Sequence, residues 1–348
     1  MNATDITRTV TPTAIREAQT PSGGGARIDA LDWTKGALIL FMVVYHAVNY
    51  SAFRPLAFKY LAFLPSSFIL ITGFLVGQVY ATKYDLGTRK PYMRLTVRGM
   101  KLIALFAFLN LGNLILTEHS VYDGLGEFGE RARTMFISGN GRTGIFEVLL
   151  PIGYFLMLAP VLLWLRARNR AWIGLLALGV FALCSWLEFR GQASKNLALL
   201  SAGIIGTALG LIEIGRINRL ACDWIPSLAL YSLYRLGSYL SGETYPVQFF
   251  GAVTSVFLLF SCARHLVGAT ALGKRMAEFG KYSLLGYLAQ IALLRSVVHI
   301  AGGKPSHWTG VGIVAVVTTL LLFLTVRAVD SSRKRSRILE RVYRGVFA

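Results

Sequence analysis

Ten long apolar stretches, separated by short polar segments, set the pattern of this chain. They run roughly over 36–53, 60–81, 95–117, 144–165, 171–189, 195–214, 219–240, 247–267, 280–301 and 308–328. Each is close to the ~20 residues a helix needs to cross a bilayer. The pattern predicts an all-α, polytopic membrane protein of about ten transmembrane helices, with a membrane domain over 27–330. Before it, 1–26 is polar and rich in Thr, Gly and Ala, without an apolar core followed by a cleavage site. That tail reads as disordered and cytoplasmic, and 331–348 reads as a basic cytoplasmic tail.

The basic residues set the orientation, because cytoplasmic segments collect Lys and Arg. With the amino terminus inside, 26 of the 36 Lys and Arg residues fall on inner segments and 8 on outer ones; Arg235 and Arg295 lie within spans. The bias alternates along the whole chain, so both termini are expected in the cytoplasm. Composition agrees: 54% of residues are hydrophobic, 15% are charged, and the mean hydropathy is +0.54. The formal charge of +19 follows from this topology rather than from nucleic-acid binding, since no soluble segment carries a basic stripe interleaved with aromatics. Cys184, Cys222 and Cys262 lie in or beside apolar runs without metal-ligand or redox spacing and are read as packing residues.

The first span, within RIDALDWTKGALILFMVVYHAVN, holds the candidate chemistry. Lys35 and His46 are eleven positions apart, which at ~100° per residue puts both on one helix face, separated by a rise of roughly 16 Å. The expectation is a hydrated passage with a cation at its inner end and an imidazole midway up. An ionisable group at that depth marks a site or pathway, although a histidine bonded to a neighbouring helix is the plainer alternative. Asp32 sits where an N-cap would, and Lys35 adds a cation to the positive helix end, which suits an anion such as a phosphate. A positive-inside anchor explains Lys35 equally well.

Arg94, Arg98 and Lys101 recur at four- and three-residue spacing on one face and bring further charge to the same side. They are candidates for holding a polyphosphate, or else for contact with anionic lipid. Asn49, Glu147 and Arg235 are weaker candidates for substrate binding, with interfacial or ion-pair roles as the alternatives. The outer segment 118–143 is long enough to be a lid or a solvated hairpin.

These motifs resemble the integral-membrane acyltransferase family 3, which includes polysaccharide O-acetyltransferases and the related succinyltransferases of osmoregulated periplasmic glucans. LDWTKG places Lys35 where that family usually has arginine, with His46 at its histidine. Thr72-Gly73-Phe74 stands for a serine-glycine-phenylalanine element, and Tyr92, Arg94 and Arg98 match the arginine-rich start of span three. In FGKYSLLGYLAQ, Gly280, Ser283 and Tyr287 match a late motif, with Gln290 where a histidine is common. The likeness covers about 27–105 and 272–295. It implies a membrane O-acyltransferase in a bacterial inner membrane that moves an acetyl or succinyl group from acyl-coenzyme A to a hydroxyl of a cell-envelope glycan or glycolipid. In that reading no cofactor is permanently bound, acyl-coenzyme A is a co-substrate held by Lys35, Arg94 and Arg98, and His46 is the general base. A transporter or flippase for a lipid-linked saccharide uses the same spans, and a membrane scaffold or sensor without chemistry is a third reading.

Overall fold

The computed structural model describes residues 28–117, 133–139, 146–221 and 223–347. The amino-terminal tail, most of 118–143 and Cys222 therefore lie outside the described residues. Among the described residues the regular structure is all helix, with no strand. In order come α1 (Asp29–Asn49), α2 (Arg54–Leu61), α3 (Leu64–Leu75), α4 (Lys90–Thr117), α5 (Leu149–Arg168), α6 (Arg170–Phe189), α7 (Lys195–Gly210), α8 (Ile214–Leu220), α9 (Trp224–Ser241), α10 (Tyr245–Ala269), α11 (Ala271–Lys281), α12 (Ser283–Ile300), α13 (Trp308–Arg335) and α14 (Arg337–Phe347).

Each of the ten apolar stretches falls on a helix, but six helices are long and apolar enough to cross a membrane: α1, α5, α6, α10, α12 and α13. A seventh is added if α7 and α8, which meet at 99°, count as one broken span. The other three stretches differ for local reasons. α3 is a shorter apolar helix, extended by a π turn over Val76–Tyr80. α4 carries Lys90, Arg94, Arg98 and Lys101 in its first half, and α9 is interrupted by Arg235 among serines and tyrosines. On α6 and α13 the outward faces are apolar, with Leu175, Leu178, Leu183, Ile313, Val316 and Leu320 exposed. Exposed apolar faces of that extent suit a hydrocarbon solvent.

α1 is the centre of the bundle and packs against α2, α3, α10, α11, α12 and α13. Its Leu38, Ile39, Met42 and Val43 are completely or almost completely buried. Two glycine crossings fix the helices around it. Where α1 meets α11, a methyl group on Gly280 would lie 1.7 Å from the backbone oxygen of Asp32, and one on Gly36 would lie 2.7 Å from that of Met276. Where α3 meets α7, a methyl on Gly73 would lie 2.0 Å from the backbone oxygen of Gly203. Small residues let helix backbones approach this closely where no hydrophobic force drives helices together in lipid. Gly73 in the Thr72-Gly73-Phe74 element is therefore a packing residue.

The final helix, α14, is tied back to the body by ions and rings rather than by an apolar core. Arg333 Nε donates to Glu340 Oε2 at 2.7 Å, and the Arg333 guanidinium lies 3.8 Å above the Tyr343 ring. Arg344 Nε donates to Glu340 Oε1 at 2.6 Å. The bonds from Arg333 and then Arg344 hold the Glu340 carboxyl below its ordinary 4.5. A depressed carboxylate stabilises the docked form above the ordinary value and loses that contribution as pH falls through the lowered one.

Two outcomes are expected. Gly280→Ala drives a methyl into the Asp32 carbonyl and lowers stability by about 1–3 kcal/mol, read as an earlier thermal midpoint in detergent; an unchanged midpoint refutes the close crossing. Protection of 337–347 against hydrogen exchange, corrected for intrinsic rates, declines as pH drops from 4.5 downward, and Glu340→Gln shows the weaker protection already at neutral pH.

Candidate functional site

The half of the bundle around the start of α1 holds a cavity of about 160 Å³. Five elements line it. α1 contributes Lys35; α3 with its π turn contributes Phe68, Thr72, Val76 and Tyr80. α4 adds Leu95, Arg98 and Leu102, the start of α5 adds Val148, Leu149, Ile152 and Leu156, and α12 adds Ser283, Leu284 and Tyr287. Two cations and four hydroxyl-bearing side chains (Thr72, Tyr80, Ser283 and Tyr287) thus share a mostly apolar chamber. A π turn widens a helix by one residue and is often found at functional sites. Here it places Val76 and Tyr80 in the chamber wall.

Lys35 is not the lone cation its sequence position suggests. α1 begins at Asp29 behind an Ile28 cap that makes no side-chain hydrogen bond, so Asp32 lies inside the first turn rather than at the N-cap. Asp32 is buried, and its Oδ1 is 2.6 Å from Lys35 Nζ. The physical reason is spacing: residues three apart on a helix are neighbours, and a carboxylate drawn below the surface needs a partner. The Lys35 side chain keeps 17% exposure, on the cavity side. It presents a half-neutralised ammonium there, a weaker anion site than a free cation.

Arg98 joins Lys35 in the lining, whereas Arg94 does not. One turn nearer the helix start, Arg94 is exposed and its Nη1 donates to the Tyr84 hydroxyl at 2.9 Å. The structure thus divides the basic face predicted from α4, with one guanidinium at the chamber and one outside it.

His46 is half-buried on α1, three turns beyond Lys35, and its ring meets the Tyr45 ring edge-on at 5.2 Å. Among the described residues the imidazole has no hydrogen-bond partner. The cavity lining does not include it. The expected continuous passage from Lys35 to His46 is therefore corrected: the walls of the chamber, Phe68, Val148 and Tyr287 among them, do not include the imidazole, and the Tyr287 ring lies 6.3 Å from Phe68 and 6.0 Å from Phe146. Large aromatic side chains fill this level because α1, α3 and α12 converge there on the main apolar core.

The weaker candidates are engaged elsewhere. Glu147 precedes α5 and forms an ion pair with Lys195 at the start of α7. Arg235 lies 4.0 Å from Glu243 and 5.0 Å from the centre of the Tyr60 ring, which makes it part of an ion pair and ring stack. Asn49 sits in the last turn of α1; none of the three lines the chamber.

Several buried polar groups, Tyr234 and Ser255 among them, lack partners among the described residues, and two of these groups lie on α12 and α13 beside α1. Gln290 is 1% exposed with neither amide atom hydrogen-bonded among the described residues, and Thr318 is fully buried with its hydroxyl in the same state. Such groups cost about 1–3 kcal/mol each in desolvation. Sequence reasoning singled out Gln290 but passed over Thr318, whose one signal is a hydroxyl inside the apolar run VAVVTTLLLF. Comparison of the chain with family models, with curated proteins and with solved structures finds no match.

Proposed function

We propose that this protein is a membrane O-acyltransferase of about ten spans with both termini cytoplasmic. It carries an acetyl or succinyl group from acyl-coenzyme A to a hydroxyl of a cell-envelope glycan or glycolipid at a bacterial inner membrane. The observation that carries this reading is the chamber in which Lys35 of α1, Arg98 of α4 and the hydroxyls of α3 and α12 converge. Those residues come from the stretches whose motifs resemble the acyltransferase family. Phosphates of the coenzyme bind to Arg98 and the exposed edge of Lys35, with Arg94 reaching the part of the nucleotide outside the chamber. The thin, largely uncharged arm of the coenzyme suits an apolar chamber with a few hydroxyls along its wall.

The reaction needs a base for the acceptor, and His46 supplies it. Its neutral imidazole takes the proton of the sugar hydroxyl while the oxygen bonds to the acyl carbon. The carbon–sulfur bond breaks, and the departing thiolate recovers a proton from the imidazolium. For the thioester to reach His46, the Tyr287 ring must turn out of the chamber wall, so this residue gates the step. A flippase for a lipid-linked saccharide would use the same cations for a lipid phosphate without consuming an acyl donor.

Purified protein in nanodiscs, given acetyl- or succinyl-coenzyme A and a glucose oligomer, is expected to release free coenzyme and acylated sugar. His46→Ala is expected to lower the rate about 100- to 10,000-fold at equal expression and an unchanged thermal midpoint; undiminished turnover removes the mechanism. Lys35→Glu places a second carboxylate beside Asp32 and is expected to raise KM for the coenzyme more than KM for the sugar. Equal increases in the two constants refute phosphate docking at Lys35.

A further inference from the structure

Between two apolar clusters around α1 lies a polar layer that the chamber does not include. Toward the inner side, Ile39 and Val43 of α1 pack with Phe279, Leu322 and Val326. Toward the outer side, Ala47 and Val48 pack with Leu294, Val298, Val311 and Val314. His46 on α1, Gln290 on α12 and Thr318 on α13 each fall between the members that their own helix gives to these clusters, or at the edge of that interval.

The heights agree. α1 and α12 run parallel, since a methyl on Gly286 would lie 3.2 Å from Ile39 Cδ1 and Arg295 Nε donates to the Tyr50 hydroxyl at 3.0 Å. Counting from the Ile39–Gly286 contact at ~1.5 Å per residue, His46 lies ~10 Å and Gln290 ~6 Å up the bundle, within one turn of each other. On α12, Gln290 also continues the stripe of Ser283 and Tyr287, which line the chamber, at seven- and three-residue spacing. On α13, Thr318 belongs to the buried stripe Val311, Val314, Leu322 and Val326 that faces α1 and α12.

We propose that Gln290 and Thr318 form a carbohydrate-binding shelf beside His46, which takes adjacent hydroxyls of the sugar acceptor. A planar amide offers an acceptor oxygen and two donor hydrogens side by side, which matches two neighbouring hydroxyls, and a threonine hydroxyl donates to or accepts from a third. Natural structures seldom leave three buried polar atoms without partners, and a ligand that completes them resolves the cost. Neither group titrates, so the shelf binds a neutral polyol and contributes no pH dependence of its own. The proposal rests on the acyltransferase reading for the identity of His46 as the base, but the shelf itself is defined by binding.

The test uses full-length protein in nanodiscs, with Gln290→Leu and Thr318→Val, a soluble glucose oligomer as probe, and acetyl- and succinyl-coenzyme A as donors. Each variant is expected to raise KM for the oligomer roughly 10- to 100-fold with KM for the donor unchanged, as loss of buried hydrogen bonds to a substrate dictates. The thermal midpoint without ligand is expected to stay level or rise, because an unpartnered polar group has been removed. Unchanged KM for the oligomer overturns the shelf, as does a lowered midpoint with unaltered KM, which marks a structural role. Should the wild type transfer no acyl group from either donor, the acyltransferase reading fails separately. The shelf then stands if the oligomer raises the wild-type midpoint but not that of the variants, and falls if it raises neither.

Discussion

The contact on which this architecture depends is the backbone crossing of α1 and α11 at Gly36 and Gly280. With no side chain between them, the Asp32 carbonyl and the Gly280 Cα approach so closely that a single methyl has no room. This crossing sets the height of α1 against the start of α12, which follows α11 after one residue. It therefore determines that Lys35, Ser283 and Tyr287 open onto one chamber. In water the hydrophobic effect would help hold such helices together; in lipid the tails are as apolar as the side chains, and close van der Waals packing has to supply the attraction.

Packing at that crossing also carries the Asp32 carboxylate below the surface. A buried carboxylate without a partner is costly, and Lys35, one turn further on, is its partner. The ammonium thus has two duties, neutralising Asp32 and facing the chamber. A lysine fits both: it is a compact charge with rotatable donors, whereas an arginine fork would commit to the carboxylate bidentately.

Much of the fold was legible in the chain because its signals are local and strong. Apolar runs near 20 residues are unmistakable; six of the ten are single helices long and apolar enough to cross a membrane, and others are split or bent. What local composition does not encode is how a helix ends or bends: the π turn after α3, the 99° break between α7 and α8, and the extra helices α11 and α14 all arise from packing at the bundle's ends. The site divided in the same way. Lys35 and Arg98 stand out by charge and spacing, and both line the one chamber. Arg94 shares their spacing but is one turn too far toward the helix start; Glu147 pairs with Lys195, distant in sequence, while Arg235 pairs with Glu243 in the turn that follows its own helix. Asp32 could have been recognised as Lys35's partner from the three-residue step, which an N-cap assignment obscured.

α1 is pinned near both ends, by the glycine crossing in its first turns and by Tyr50 joined to Arg295 just past its last turn. The first fastening is to α11 and the second to α12, two helices separated by one residue, so α1 cannot rock against that pair without breaking one of them. Alternating-access machines depend on that freedom, because one bundle must swing past another around a fixed cargo. The central helix here is built as a stationary post, so any rearrangement around the chamber falls to side chains and to helices that lack such fastenings.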